Sequence, residues 1–311
     1  MEPIVSVIIC THNPRRDYIT KVLGALKSQT LSMELWELLL VDNASNEILS
    51  SELDLSWHPR NRHLREENLG LTPARLRGIK EAQGNLLIFV DDDNVLEPDY
   101  LEEAIHILKE YPFLGAFGGH ISAETDSPLE AWQEPFLSFL AVREVRQPVW
   151  GNRSFSGQNV PYGAGICIKR EVAYRYYEVT QEDPLRLRLD RRGNLLSSAG
   201  DLDLALTAHD CGYATGLFPN LRLNHLIPTT RLQEEYLLRL KREGGMSSYI
   251  LEYLRYGNIP SIQKKSFLRH LIDKIRLMKH EPIYRKMIQA EIMAKQQALE
   301  EIFKFQKTIE E

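Results

Sequence analysis

The chain has 311 residues, enough for one large or two small domains. With 43% hydrophobic and 26% charged residues its composition is that of a soluble globular protein, not of a disordered or fibrous one. The formal net charge of −5 gives no support for nucleic-acid binding, and no run approaches the ~20 apolar residues that a membrane span needs. Val5 to Cys10 is too short for a signal peptide and lacks a basic flank. Cys10, Cys167 and Cys211 are few and far apart, which predicts reduced thiols in a reducing, cytoplasmic setting.

Residues 4–10 predict a first strand, ending at Thr11-His12-Asn13-Pro14, with a helix over about 16–29. Trp36 to Val41 predicts a second strand that ends at Asp42-Asn43-Ala44-Ser45, and His63 to Asn68 a short third one. A helix follows over about 71–83, after Gly70. Leu86-Leu87-Ile88-Phe89-Val90 is a continuous apolar run, as expected of a parallel strand buried on both faces, and 98–110 is its helix. Strands that alternate with helices in this way predict βαβ units, a parallel sheet and right-handed crossovers, with the polar strand ends gathered along one edge.

Beyond about residue 112 the pattern changes. Strands are predicted over 114–121 and 163–168, and an amphipathic helix over 129–147. Leu185 to Leu189 alternates and runs into a turn at 190–194, which predicts a hairpin. A helix over 201–211 stops at Gly212, and a last strand ends near Asn224-His225. From 232 onward the chain is helix-rich, so the expected division is a domain over 1–230 and a helical extension over 231–311.

Asp91-Asp92-Asp93 is the most informative feature. Three carboxylates follow directly on the apolar run, at the carboxyl end of a sheet, where open α/β sheets bind ligands. Adjacent carboxylates repel, and a hard divalent cation, Mg²⁺ or Mn²⁺, is the simplest partner to hold them together. The alternative is a solvated acidic turn. Thr11 and Asp42 close strands at the same edge; Asp42 could bond a base or ribose, or merely cap a turn. Arg75 on the helix after Gly70 could face a base or phosphate, or solvent. Asp201 opens a helix, either as its cap or as a general base for a hydroxyl nucleophile. His225 could be structural or complete a metal site that carboxylates only half fill.

Taken in order, Val5-Ser6-Val7-Ile8-Ile9 with Thr11, Val41-Asp42-Asn43-Ala44-Ser45, Asn68-Leu69-Gly70 with Ala74-Arg75, Val90-Asp91-Asp92-Asp93-Asn94, and Gly200-Asp201-Leu202-Asp203-Leu204 with Gly212-Tyr213 and His225 resemble the family 2 glycosyltransferases. The resemblance covers roughly residues 3–230. It implies an α/β GT-A fold with a mostly parallel central sheet and a metal-dependent, inverting transfer. The sugar would pass from a nucleotide-diphosphate sugar to a sugar or lipid-linked acceptor, in polysaccharide, glycolipid or other glycoconjugate assembly. It implies a nucleotide pocket of Thr11, Asp42, Arg75, Asp91 and Asp92, with Asp42 facing the base. It further implies Mn²⁺ or Mg²⁺ at Asp93 and His225, Asp201 as catalytic base, and Gly163, Ala164 and Asp203 near the acceptor or sugar. One departure stands out: the family usually has Glu before the base, and here it is Gly200, so either the acidic pair is dispensable or Asp203 compensates.

Residues 262–286 carry eight Lys/Arg against two acids, with Phe267, Leu271, Ile275 and Met278 at helical spacing. That predicts a basic amphipathic helix, packed on the domain or touching an anionic membrane at its inner face. Arg186, Arg188, Arg191 and Arg192 of the expected hairpin could meet an acceptor phosphate or solvent. The acceptor itself is expected at the loop from Trp150 to Tyr162. Two other functions stay open: a nucleotide-sugar-binding protein without activity, and a nucleotidyltransferase. Thr11 to Arg16 speaks against the latter, because it has no glycine for a phosphate loop.

Overall fold

A computed structural model describes residues 2–152, 158–261 and 281–310. The strands are β1 (Val5–Thr11), β2 (Trp36–Asn43), β3 (Asn61–Glu66), β4 (Leu86–Asp91), β5 (Asn94–Leu96), β6 (Leu114–Thr125), β7 (Val149–Gly151), β8 (Cys167–Lys169) and β9 (Ala214–Ile227). They form one sheet in the order β3-β2-β1-β4-β8-β6-β9-β5, with β7 beside β9. The long pairings, β1 with β2 and β4, β2 with β3 and β6 with β9, are parallel, and the short β8 reverses direction between β4 and β6.

Strand side chains alternate between faces, and here both faces are dry. Val7 and Ile9 of β1 join one buried cluster with Ile19, Val22 and Leu26 of α1 (Arg16–Lys27) and Leu101 and Ala104 of α3 (Tyr100–Glu110). Ile8 and Cys10 join another, with Ala74 and Ile79 of α2 (Leu71–Glu81), Val172 of α4 (Arg170–Thr180) and Leu204 of α5 (Gly200–Asp210). Each Val, Ile or Leu among them, fully withdrawn from water, contributes roughly 1.5–3 kcal/mol. A Cβ at Gly78 would lie 2.5 Å from Ile8 Cγ2, so α2 sits closer to β1 than any other residue would permit.

The predicted strands and helices of the first hundred residues are present within a few positions. Two expectations further on are corrected. The helix over 129–147 is a shorter 3₁₀ segment, Ala131–Leu140, containing Pro135, whose missing N–H removes a helical bond. The hairpin near 185–194 is a 3₁₀ turn, Arg186–Arg188, with a single bridge between Arg192 and Leu195, because Arg186 is drawn inward to Asp203. The short β5 and β7 carry no alternation long enough to read.

The C-terminal part is α6 (Glu234–Tyr256) and α7 (Pro282–Glu310). Ile250, Leu251, Ala298 and Ile302 enter the same buried cluster as α2 and α5. A Cβ at Gly245 would meet Ala294 Cβ at 3.2 Å, so a glycine brings the two helices together. Glu243 Oε2 accepts the Leu196 amide at 2.6 Å and Ser247 Oγ the Ser198 amide at 3.1 Å, so α6 holds the loop that leads into α5. Residues 262–280 of the expected basic helix lie outside the described residues.

Candidate active site

A cavity of about 520 Å³ opens at the carboxyl ends of β1 and β4. Thr11, Arg75, Asp91, Asp92, Asp93, Gly163, Ala164, Asp201 and His225 all line it. The sheet register explains the acidic rim, since Cys10 pairs with Asp91 and Thr11 with Asp42. Thr11 Oγ1 donates to Asp92. Burial, followed by the charge of Asp93, pushes the Asp92 carboxyl up to about 7, and the same two causes raise Asp91.

Asp93 behaves in the opposite way. Its burial is outweighed by His225 and then Arg231, which hold the carboxyl well below the usual range. β5 pairs antiparallel with β9 so that Asn94 faces His225, which sets His225 Nε2 3.2 Å from Asp93 Oδ2. The Leu140 carbonyl, at the end of the 3₁₀ segment, accepts from His225 Nδ1 at 2.8 Å. A carbonyl can only accept, so Nδ1 carries a hydrogen, and Nε2 is turned toward Asp93. Arg231 Nη1 lies 2.9 Å from Asp93 Oδ2, so this spot already accepts a positive charge.

Among the described residues no cluster of three or more His, Cys, Asp or Glu side chains could hold a metal by itself. Asp93 and His225 fit a cation of the Mg²⁺ or Mn²⁺ type, which commonly takes one or two protein ligands and completes its shell with substrate phosphate and water. The carboxylate oxygen is the donor that such an ion prefers, and the oriented imidazole nitrogen would be a second, softer one.

Asp201 stands in the first turn of α5. Its Oδ2 accepts the Gly163 amide at 2.7 Å and its Oδ1 the Leu202 amide at 2.8 Å. Burial raises its carboxyl above the ordinary value, against the pull of Arg75 and with the help of Asp190. A carboxylate that holds its proton more tightly is a stronger base once ionised. Arg75 is 4% exposed and donates from Nη1 to Asp190 Oδ2 at 2.9 Å. The Arg143 guanidinium lies 3.6 Å over the ring of Tyr162, another wall residue.

Two expected site residues are placed elsewhere. Asp42 is 4% exposed and lies behind the cavity wall. Its carboxylate accepts the amides of Ser45 at 3.0 Å and Leu49 at 3.2 Å, and Arg65 Nη1 at 2.7 Å, so it caps a turn. Asp203 is fully buried between Arg186 Nη1 at 2.6 Å and Arg255 Nε at 2.9 Å, on the side of α5 away from the cavity. Its place is set by those two cations, and it offers nothing to a ligand.

Arg191, one of the arginines expected to meet an acceptor phosphate or solvent, lines the cavity. Several other wall residues carried no sequence signal: Arg231, Asp190, Gly244 and Ser248. The last two belong to α6, so the helical extension closes one side of the site. A Cβ at Gly244 would meet Ser198 Oγ at 2.9 Å, and the glycine lets α6 approach the loop before Asp201.

Residues 6–170 match the profile described as glycosyl transferase family 2. The chain is 23% identical over 288 residues to a glucosyl-dolichyl phosphate glucuronosyltransferase of Haloferax volcanii, covering 89% of this chain and 88% of that protein. It is 31% identical over 215 residues to glycosyltransferase AglE of the same organism, covering 68% of this chain and 63% of the relative. A crystal structure of S. aureus TarS 1-349 aligns over 92% of this chain and 80% of that one, with 17% identity and a TM-score of 0.48.

Proposed function

The chain belongs to glycosyl transferase family 2, and on that premise we propose that it moves a sugar, with inversion, from a nucleotide-diphosphate donor to an acceptor hydroxyl. The observation that carries this reading is the convergence on one cavity of Asp91 to Asp93, Arg75, Asp201 and His225. The fold is of the GT-A kind on this reading. Thr11, Arg75, Asp91 and Asp92 bind and orient the nucleotide and its ribose. Asp42 serves from behind, by shaping the turn at Asn43, whose side chain donates to the Glu66 and Asn68 carbonyls and accepts the Gly70 amide.

Asp93 and His225 would hold Mn²⁺ or Mg²⁺. When bound, such an ion neutralises charge that grows on the leaving diphosphate. Arg231 adds a second positive charge at the same place, and it needs no proton exchange to do so. Asp201 takes the proton from the acceptor hydroxyl as that oxygen attacks the anomeric carbon. The Gly163 amide bond keeps the carboxylate aimed during that transfer. Gly163 and Ala164 lie beside Asp201 and leave room for the acceptor sugar. The reaction is one displacement, with the nucleoside diphosphate departing from the face opposite the attack.

The acceptor is a lipid-linked sugar phosphate or a growing glycoconjugate. The name of the Haloferax volcanii relative, glucosyl-dolichyl phosphate glucuronosyltransferase, supports the lipid-linked form. No helix among the described residues is long and apolar enough to cross a membrane. Contact with the bilayer is proposed through the basic segment 262–286.

The test is release of nucleoside diphosphate from a panel of nucleotide sugars, with Mn²⁺ and candidate acceptors. Donors are chosen by thermal shift, since a ligand that binds only the folded state raises the melting point. A donor that stabilises the protein but is never turned over with any acceptor would leave a sugar-nucleotide-binding protein in place of an enzyme.

A further inference from the structure

We propose that Asp190 is a positioning residue for the transfer, filling from a separate loop the place that a side chain at 200 would occupy and fixing Arg75 beside Asp201. The inference rests on the reading of Asp201 as the base. Gly200 immediately precedes Asp201, and a Cβ on it would lie 2.2 Å from Asp190 Oδ2, 2.4 Å from Cγ and 2.7 Å from Oδ1. The Asp190 carboxylate and a side chain at 200 therefore exclude one another. The acidic group next to the base has not been lost from the molecule; it arrives from ten residues upstream.

The loop holds Asp190 from both sides. Leu189, just before it, accepts the Ala199 amide at 2.9 Å, at the start of α5. Arg191, just after it, accepts the Leu71 amide at 2.9 Å, at the start of α2. The residue is thus pinned between the two helix starts that carry Arg75 and Asp201. Its Oδ2 accepts Thr72 Oγ1 at 3.0 Å and Arg75 Nη1 at 2.9 Å, two donors three residues apart on one face of α2.

Arg75 then reaches the base through Gly163. A Cβ at Gly163 would meet Arg75 Nη2 at 2.7 Å, Asp201 Cβ at 2.9 Å and Asp201 Oδ2 at 3.2 Å. The Gly163 backbone, which donates its amide to Asp201, is packed between guanidinium and carboxylate. Asp190 and Arg75 are 3% and 4% exposed, so neither partner can be replaced by solvent. Without Asp190, the guanidinium would turn to the nearest remaining carboxylate, Asp201, and bind the base it now only flanks.

The test compares wild type, Asp190→Ala, Asp190→Asn, Gly200→Glu, and the double variant Asp190→Ala with Gly200→Glu. Each is measured for kcat, donor KM and melting temperature in the full chain. Asp190→Ala is expected to lose roughly 10²-fold in kcat, the size of a misplaced catalytic group, with a smaller change in donor KM. Gly200→Glu alone is expected to lose activity because two carboxyl groups compete for one space. The double variant returns the carboxylate from the other chain segment and is expected to recover most of the lost kcat. Asp190→Asn keeps the shape and removes the charge, and it gives the reading should the alanine variant not fold. A lower melting temperature with unchanged kcat, or a double variant no better than Asp190→Ala, would overturn the positioning role while leaving the transferase reading intact. A wild-type protein with no turnover of any donor would end both.

Discussion

His225 Nε2 faces Asp93 Oδ2 at 3.2 Å only because its other nitrogen is fixed on the Leu140 carbonyl at 2.8 Å. Three separate pieces of chain make that geometry: the loop after β4, the end of β9, and the last residue of a 3₁₀ segment that contains a proline. The imidazole is thereby oriented with Nε2 beside the carboxylate. Asp93→Asn and His225→Ala are each expected to weaken Mn²⁺ binding by at least about tenfold, on the scale seen when metal-site residues are changed. Isothermal titration with Mn²⁺ on the purified chain measures this directly, and unchanged affinity in both variants would remove the pair as ligands.

Asp201→Asn preserves an oxygen for the Gly163 amide and removes the base. Turnover is expected to fall by ~10²–10⁴, with donor affinity kept. In wild type, burial raises the Asp201 carboxyl. The base works ionised, so activity rises with pH through a value above the ordinary carboxylate range. A pH profile of kcat/KM reads that limb; full turnover by the asparagine variant would refute the assignment.

Asp203 should respond in the other way, although it is two residues from Asp201. Arg255→Ala takes away one of the two cations around a fully buried carboxylate. The expected cost is about 3–5 kcal/mol of stability, the usual penalty for breaking a buried pair. Urea unfolding gives that number, while kcat per folded molecule is expected to stay near wild type. A large kcat loss without destabilisation would return Asp203 to the site.

His58 predicts an acid-sensitive step. It is fully buried with its ring centroid 4.0 Å from that of Trp36, and burial lowers its pKa from 6.5 to about 4. The unfolded chain takes up the proton first as pH falls, so this contribution is intact above about pH 6.5 and is lost down to about pH 4. Linkage makes the loss up to about 3 kcal/mol. His58→Asn leaves an acceptor for the Arg60 amide and cannot titrate there. Its stability is expected to be flatter than wild type over that interval in urea titrations at several pH values, and an equal slope would count against His58 as the source.

The parallel half of the fold was readable because β1, β2 and β4 are buried on both faces and therefore apolar along most of their length. The acid-bearing ends followed from the same strands. What escaped reading has one physical origin: side chains that meet across long stretches of irregular chain. Arg75 and Asp190 are 115 positions apart, Asp93 and Arg231 are 138, and neither loop has a periodicity that could announce its partner. Asp42 illustrates the converse. Its motif was visible and its position correct, yet the carboxylate is spent on the amides of Ser45 and Leu49. The sequence order identified the neighbourhood, and only three-dimensional packing could say which way each group turns.

The cavity takes its acids from the sheet and part of its enclosure from α6, where Gly244 and Gly245 stand side by side. Reactivity and fit are thus housed in different stretches of polypeptide. Bulkier residues on that helix could narrow the repertoire of accepted molecules while the bond-making groups stayed as they are. Diversification of such an enzyme toward new targets has an obvious place to begin, and it lies outside the segment by which the chain was classified.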